Sequence, residues 1–300
     1  MNNATQRPKL PARGAAQNGT DTPVLDTFPL DTRIIEPTTP EVRRQSGWKH
    51  IRQAYGLEPL RSYYPLRLAR YPAMAEAITA HTKSRLQQPQ PREQLKLIDV
   101  GAGRGRSLQY TEKLNAAHLI EWHGVDLESH RVYDPPKWAS LQDLDAEQGL
   151  PFPNHTFDIA ICEQVLEHLE DPTPVIRDIA RILKPGGLFI AGVPTFASPV
   201  AASRRFLFDT LGRILKLKTG HPQTFSSASF TRTIAKCGFD IQAVRGFRII
   251  SGGPLLRPLE NHPWWYRFNR KLGAALPGLC IETQVLATRQ PGPPQQDDQT

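Results

Sequence analysis

The stretch that decides the fold is Leu97 to Arg106, which reads LIDVGAGRGR. It ends a short apolar run, Leu95 to Val100, with a glycine-rich turn, and a helical pattern follows from Ser107 to about Ala117. Such a turn lets the backbone approach a ligand closely, and the next helix offers unpaired N–H groups at its start. Because many glycine-rich turns are only tight turns, the neighbouring residues have to decide between a binding site and a plain turn.

The residues around this turn argue against a dinucleotide. The fingerprint G-x-G-x-x-G places its last glycine where this chain has Arg106, at a position where close packing of helix on strand excludes a side chain. Asp99, two residues before Gly101, would face a pyrophosphate unfavourably but suits a ligand that carries positive charge. An NAD-dependent oxidoreductase is therefore the disfavoured interpretation.

A second acidic residue points to a nucleoside. Asp126 ends the next apolar run, Leu119 to Val125, 21 residues after Gly105. A carboxylate in that place can accept both hydroxyls of a ribose. Taken alone, Asp126 fits a helix cap or an exposed loop equally well, but beside the glycine turn it indicates a nucleoside site.

The remaining pattern predicts the fold class. Strands are predicted at Ala139 to Leu144, Phe157 to Cys162 and Leu188 to Val193, and a helix at Pro172 to Leu183 that ends at the sequence KPGG. Short strands that alternate with helices are typical of an α/β, doubly wound, mostly parallel sheet. Ligands bind such sheets at the carboxyl ends of the strands, where the residues named above fall.

Composition and charge exclude several classes of protein. The chain has 300 residues, 39% apolar and 22% charged, with no apolar run long enough to span a membrane and no apolar stretch of a secretory signal at its start. Its three cysteines form no CxxC pair, which predicts neither disulfides nor a metal site and favours a reducing cytoplasm.

The charge is unevenly distributed along the chain. Residues 1–94 carry 14 Lys and Arg against 8 Asp and Glu, a net +6; residues 95–190 carry 9 against 15, a net −6; residues 191–300 carry 14 against 6, a net +8. A uniformly basic nucleic-acid binder would not show this, so no nucleic-acid partner is predicted. The basic flanks either meet something anionic or are simply solvated surface.

The segment from Leu95 to Val193 resembles the class I S-adenosylmethionine (SAM)-dependent methyltransferases, in particular those similar to ubiquinone and menaquinone biosynthesis methyltransferases. A weaker similarity continues over 224–244. Five ordered matches carry the resemblance: LIDVGAGRGR at 97–106, GVDLE at 124–128, LPFP at 150–153 followed by TFD at 156–158, EQVLEH at 163–168, and LKPGGLFIAGVP at 183–194.

The resemblance implies a seven-stranded Rossmann-like sheet, SAM as cofactor, and a role for each matched residue. The methionine end would be held by Asp99 and the turn Gly101, Ala102, Gly103 and Gly105, with the carboxylate favouring the ammonium group. Asp126 would hold the ribose and Leu127 pack on adenine. Asp145 and Ala146 would contact the adenine edge, with Asp143 as the competing choice because the spacing from Asp145 to Leu150 is one residue longer than is commonest in the family. Glu163 and Gln164 would border the sulfonium.

The sequence says less about the binding site for the methyl acceptor. His168 and His221 are candidate bases, but a structural role is favoured for each, so no catalytic residue is assigned. A basic amphipathic helix over 204–218 would lie on an anionic membrane, cover the site as a lid, or pack on the sheet edge. The aromatic and basic cluster from Trp264 to Lys271 favours a hydrophobic or lipid-linked acceptor.

The predicted organisation is a disordered segment at 1–40, N-terminal helices at 41–94, a methyltransferase domain at 95–289 and a disordered tail at 290–300. Acceptor-side insertions are predicted at about 195–230 and 246–280. By the resemblance, strands at Phe239 to Val244 and Ile281 to Thr288 form the antiparallel pair that completes the sheet, and the long connection between them forms a cap.

Two hypotheses of function result. The leading one is a SAM-dependent methyltransferase that acts on oxygen or carbon of a small or lipid-linked acceptor. The alternative is a non-catalytic SAM-binding regulatory protein, which would bind the same nucleoside without turnover. The predicted location is the cytoplasm, with peripheral contact to the anionic inner face of a membrane as a further expectation.

Overall fold

A computed structural model describes residues 65–87, 94–132, 134–196, 223–249, 256, 259 and 262–291. Within these ranges five α-helices accompany seven strands. The helices are α1 (Arg70–Leu86), α2 (Arg106–Lys113), α3 (Thr173–Ile182), α4 (Ser227–Lys236) and α5 (Pro263–Ala275). The strands are β1 (Leu95–Val100), β2 (Ile120–Asp126), β3 (Ser140–Asp143), β4 (Phe157–Glu163), β5 (Leu183–Pro194), β6 (Phe239–Phe247) and β7 (Glu282–Arg289).

The strands form one sheet in the order β3-β2-β1-β4-β5-β7-β6. Strands β1 to β5 pair in parallel, whereas β7 runs antiparallel to both of its neighbours. The prediction of a doubly wound, mostly parallel seven-stranded sheet is therefore confirmed. The strand order reverses between β1 and β4, and this is the place where such sheets bind their ligands.

Alternation along the strands divides the core into two layers. In β1, Leu97 packs with Met74 and Ile78 of α1 on one face, whereas Ile98 packs with Ile176 and other residues of α3 on the opposite face. Successive side chains of a strand point to opposite faces, so an apolar strand buried on both sides needs helices on both sides. The central strands are held rigidly between these layers, and their carboxyl ends can position side chains accurately.

Two predicted boundaries were wrong. Helix α2 ends at Lys113 rather than near Ala117, because Asn115 adopts a left-handed backbone with φ 52° and stops the helix. The sequence KPGG is not a break between helix and strand but part of β5. Leu183 pairs with Phe157 and Leu188 with Ile159, so residues 184–187 form a bulge opposite a single residue of β4.

Several predictions concern residues outside the described ranges. These are the disordered segment at 1–40, residues 41–64 of the predicted N-terminal helices, the basic helix at 204–218, His221, parts of the insertions predicted at about 195–230 and 246–280, and residues 292–300 of the predicted tail. In the part of the chain that the structure describes, no helix combines the length and apolarity needed to cross a membrane.

Candidate cofactor-binding site

A pocket of about 330 Å³ opens at the carboxyl ends of β1 and β4. Its volume lies at the lower end of the range for small-molecule sites, roughly 300–1,000 Å³. Seven of the residues predicted from the sequence line it: Asp99, Gly101, Ala102, Gly103, Asp126, Glu163 and Gln164. The fold thus gathers residues from three separate motifs into one cavity.

The glycine turn is tied to the neighbouring strand. The N–H groups of Gly101 and Ala102 both donate to the carbonyl of Val125, at 2.8 and 3.2 Å. Gly101 has φ 78°, and a Cβ atom there would lie 2.1 Å from Cγ2 of Val165. Only glycine combines this backbone with this close approach, so the turn has the shape of a cradle rather than of a plain turn.

Asp126 links the cradle to β2. One carboxylate oxygen accepts the N–H of Gly103 at 2.8 Å, and the other accepts the N–H of Glu128 at 2.9 Å. Each oxygen has a further lone pair, so a half-buried carboxylate held in this orientation can still accept the hydroxyls of a ribose.

Asp99 lies deeper in the pocket. It is buried, and Ser107 of α2 donates its hydroxyl to the carboxylate. Burial raises the pKa of Asp99 to about 7, although the hydrogen bond from Ser107 lowers it. A cation bound in the pocket would stabilise the ionised carboxylate, which fits the ammonium group of a methionine moiety.

Glu163 ends β4 at the pocket wall, and Gln164 follows it. Gln284 of β7 donates to Oε1 of Glu163 at 2.5 Å, and burial raises the pKa of Glu163 to about 7, against the effect of Arg70. Gln164 has a left-handed backbone with φ 60°. A non-glycine residue held in that conformation is a recurrent feature of functional sites.

Four other predicted residues do not line the pocket. Gly105 caps α2, and Leu127 is 72% exposed. Asp145 accepts the N–H of Glu147 at 3.0 Å, and Ala146 lines a separate surface depression with residues of α3. The competing choice, Asp143, pairs in register with Asp126 and accepts the N–H of Ser129 at 2.8 Å. The role of Gly105 at the methionine end, and the roles of Leu127, Asp145 and Ala146 at adenine, stay predictions.

The sequence reasoning missed one wall of the pocket. Tyr71 and Met74 of α1 lie there, far from the matched motifs. Arg106, which occupies the position of the missing glycine, donates to the hydroxyl of Tyr71 at 3.3 Å and lies over its ring at 5.1 Å. An aromatic residue at the start of a helix, ahead of β1, was the available signal.

The structure also locates one candidate base, His168, and allows a search for metal sites. The side chain of His168 is 52% exposed, its Nε2 lies 3.9 Å from Glu167, and it does not line the pocket. Among the described residues, no cluster of His, Cys, Asp or Glu has the arrangement of a metal site.

The residues present fit SAM. The glycine turn lines the pocket, and the two acids beside it suit an ammonium group and a ribose. Oε2 of Glu163 and Nε2 of Gln164 are buried without a hydrogen-bond partner among the described residues. Buried polar atoms are rarely left unpaired, so a polar ligand in the pocket would satisfy Nε2 of Gln164, whereas Oε2 of Glu163 faces Nε of Arg70 at 3.6 Å.

The raised pKa of Asp99 predicts a pH dependence of cofactor binding. The ammonium group favours the ionised carboxylate, so affinity rises as pH increases through the pKa of the unliganded protein. With a pKa of about 7, SAM should bind about fivefold more tightly at pH 7 than at pH 6. Isothermal titration calorimetry at the two pH values measures this.

The matched variant for this test is Asp99→Asn, which retains the shape of the side chain but cannot ionise. It should bind SAM more weakly and lose the part of the pH dependence that Asp99 contributes, while Glu163, whose pKa is also about 7, still titrates in the same pocket. An affinity of the unmodified protein that is equal at both pH values would contradict the assignment of Asp99 to the ammonium group.

The sheet order with an antiparallel β7, and a glycine cradle flanked by two acids at the switch point, define the class I SAM-dependent methyltransferase fold. A family model described as a methyltransferase domain matches residues 70–244, more than half of the chain, and the chain belongs to that family. Membership implies SAM as the cofactor.

Curated relatives are similar over part of their length. The chain is 29% identical over 140 residues to a ubiquinone biosynthesis O-methyltransferase of Parvibaculum lavamentivorans, covering 44% of this chain and 53% of that protein. It is 31% identical over 140 residues to the protein of the same name from Maricaulis maris, covering 44% and 52%. The match thus spans about half the length of these relatives.

Solved structures show a more distant likeness. The YcgJ protein of Bacillus subtilis is 17% identical with a TM-score of 0.42, and the match covers 71% of this chain and 99% of that one. A geranyl diphosphate methyltransferase is 14% identical with a TM-score of 0.46, covering 72% and 78%.

Proposed function

We propose that this protein transfers the methyl group of SAM to an oxygen or carbon atom of a small or lipid-linked acceptor. The observation that carries the proposal is the convergence of Asp99, Asp126 and the glycine cradle on one pocket, beside a wall formed by Tyr71 and Met74. This wall combines a ring and a thioether, and such side chains suit an apolar acceptor. The ubiquinone-related names of the relatives support the same acceptor class.

Methyl transfer from SAM requires few catalytic groups from the protein. Bound SAM supplies a methyl group on a positively charged sulfur that is already a strong electrophile. Asp99 and Asp126 would fix the two ends of the donor, so that the methyl group points at one place in the pocket. Alignment of this kind converts an encounter between two molecules into a step within one complex.

Removal of a proton from the acceptor is assigned to Glu163. Glu163 lines the pocket, and its buried Oε2 lies 3.6 Å from Nε of Arg70. Its pKa of about 7 suits proton transfer at neutral pH. Glu163→Gln should slow turnover by about tenfold or more while it changes the affinity for SAM much less. An equal loss of turnover rate and of SAM affinity would refute the role of Glu163 in proton removal.

Turnover tests the proposal. Purified protein is incubated with SAM carrying a radiolabelled methyl group, together with an organic-phase lipid extract or with an aqueous extract of small molecules. We expect labelled product and S-adenosylhomocysteine, with more label transferred to the lipid extract. Binding of SAM without transfer to either extract would instead favour the non-catalytic regulatory alternative.

A further inference from the structure

Large exposed apolar side chains concentrate in one region of the described surface. Six are more than a third exposed, and five of them fall between residues 264 and 281: Trp264, Phe268, Leu276, Leu279 and Ile281. We call these five residues the 264–281 patch. Single exposed apolar residues are ordinary, but five within 18 residues of sequence are typical of a surface that meets something apolar.

Helix α5 presents part of this patch from a fixed position. Its inner face buries Trp265, Tyr266 and Asn269, whereas Trp264 and Phe268, four residues apart, share the outer face. A Cβ atom at Gly273 would lie 2.1 Å from the carbonyl oxygen of Gly246, so the helix packs directly on the backbone of β6. The outer face is therefore held at the surface by tight packing underneath.

The segment that carries the patch has no acidic residue of its own. Residues 262–281 contain no Asp or Glu. Arg267 and Lys271 are exposed on α5 beside Trp264 and Phe268, whereas Arg270 forms a bidentate pair with Glu76 of α1 at 2.9 and 3.2 Å. The exposed surface of this segment thus combines aromatic rings, aliphatic side chains and the two basic residues Arg267 and Lys271.

The patch lies at the edge of the sheet where the pocket opens. Ile281 immediately precedes β7, and its carbonyl accepts the N–H of Thr195, which follows the carboxyl end of β5. Strand β4 lies on the other side of β5. Its last residue, Glu163, lines the pocket and pairs with Gly192 of β5. An apolar acceptor held at the patch would therefore be on the same side of the sheet as the pocket.

We propose that the 264–281 patch, with Arg267 and Lys271, docks on the surface of an anionic lipid bilayer. Aromatic rings settle at the interface between headgroups and acyl chains, and basic side chains are attracted to anionic headgroups. The inference goes beyond methyl transfer and does not depend on it, because the patch shares no residue with the pocket.

Vesicle sedimentation tests the docking. The full chain is mixed with phosphatidylcholine vesicles with and without phosphatidylglycerol. We expect binding only to the anionic vesicles, weakened by salt. Trp264→Ser/Phe268→Ser and Arg267→Glu/Lys271→Glu should each weaken binding by about tenfold or more. The matched control, Arg232→Glu/Lys236→Glu, changes two exposed basic residues with the same spacing on α4 and should bind as the unmodified protein does.

Tryptophan emission locates the contact. Of the four tryptophans among the described residues, Trp122, Trp138 and Trp265 are buried and Trp264 is 55% exposed, so the measurement is made in a Trp48→Phe background. Anionic vesicles should shift the emission to shorter wavelength, and Trp264→Phe should abolish most of the shift while sedimentation persists.

Two results would overturn the proposal. One is unchanged vesicle binding in both patch variants. The other is an unmodified protein that ignores vesicles but sediments as a dimer that the patch variants dissociate, which would assign the patch to self-association. Calorimetry with SAM on the same variants separates either result from a failure of the methyltransferase assignment, because the patch variants should bind SAM normally.

Discussion

Replacement of Asp126 by alanine is expected to weaken SAM binding by about 100-fold. The carboxylate can accept both ribose hydroxyls, and hydrogen bonds to a charged group contribute about 1.5–3 kcal/mol each. The variant would also release the N–H of Gly103, which Asp126 now holds at 2.8 Å, and so loosen the cradle itself. Both effects weaken SAM binding.

The control for this measurement is Asp240→Ala. Asp240 is an exposed carboxylate near the start of β6, at the opposite end of the sheet from the pocket. It should leave the affinity measured by calorimetry unchanged and the melting temperature nearly so. If Asp126→Ala and Asp240→Ala bind SAM equally well, the ribose is not held at Asp126.

The second large expected effect is a loss of stability. It arises from a buried ionic network beside the pocket. Arg70, at the start of α1, donates to Glu282 of β7 at 3.0 Å, and its Nε lies 3.6 Å from Oε2 of Glu163. Arg248 donates to the other oxygen of Glu282 at 2.6 Å. The network joins α1 to the strands on which the pocket wall is built.

Arg70→Met is expected to lower the free energy of unfolding by about 3–5 kcal/mol. Methionine fills similar space, but Glu163 and Glu282 would be left buried with less compensating charge, and breaking one side of a buried pair carries a cost of this size. Denaturation by urea, followed by circular dichroism, measures the change in stability.

The double variant Arg70→Met/Glu282→Gln distinguishes charge from packing. It removes one of the stranded carboxylates, so it should be more stable than Arg70→Met alone. Glu282→Gln is also measured alone. If its effect on stability adds in full to that of Arg70→Met in the double variant, the two side chains are not coupled.

Sequence reasoning succeeded where the physical signal is local. The run Leu95–Val100 is bounded by a glycine turn, and its two-sided burial requires a continuous apolar pattern, so β1 was predicted at its observed bounds. The same holds for the placement of Asp99 and Asp126 at one edge, because parallel strands bring their carboxyl ends together.

The rest of the site depends on contacts between distant segments. Arg70 meets Glu282 across 212 positions of sequence, and Gln284 reaches Glu163 across 121. No periodicity in either segment encodes such a partner. The bulge at residues 184–187 was likewise hidden, because Gly186 and Gly187 signal a turn in sequence whether or not the flanking residues stay in the sheet.

A crystal structure of the protein with S-adenosylhomocysteine tests the central claim most directly. We predict that the ribose hydroxyls lie within hydrogen-bond distance of the Asp126 carboxylate and that the ligand's ammonium group faces Asp99. A nucleoside bound at any other place, with the cradle from Gly101 to Gly105 left open to solvent, would contradict the account.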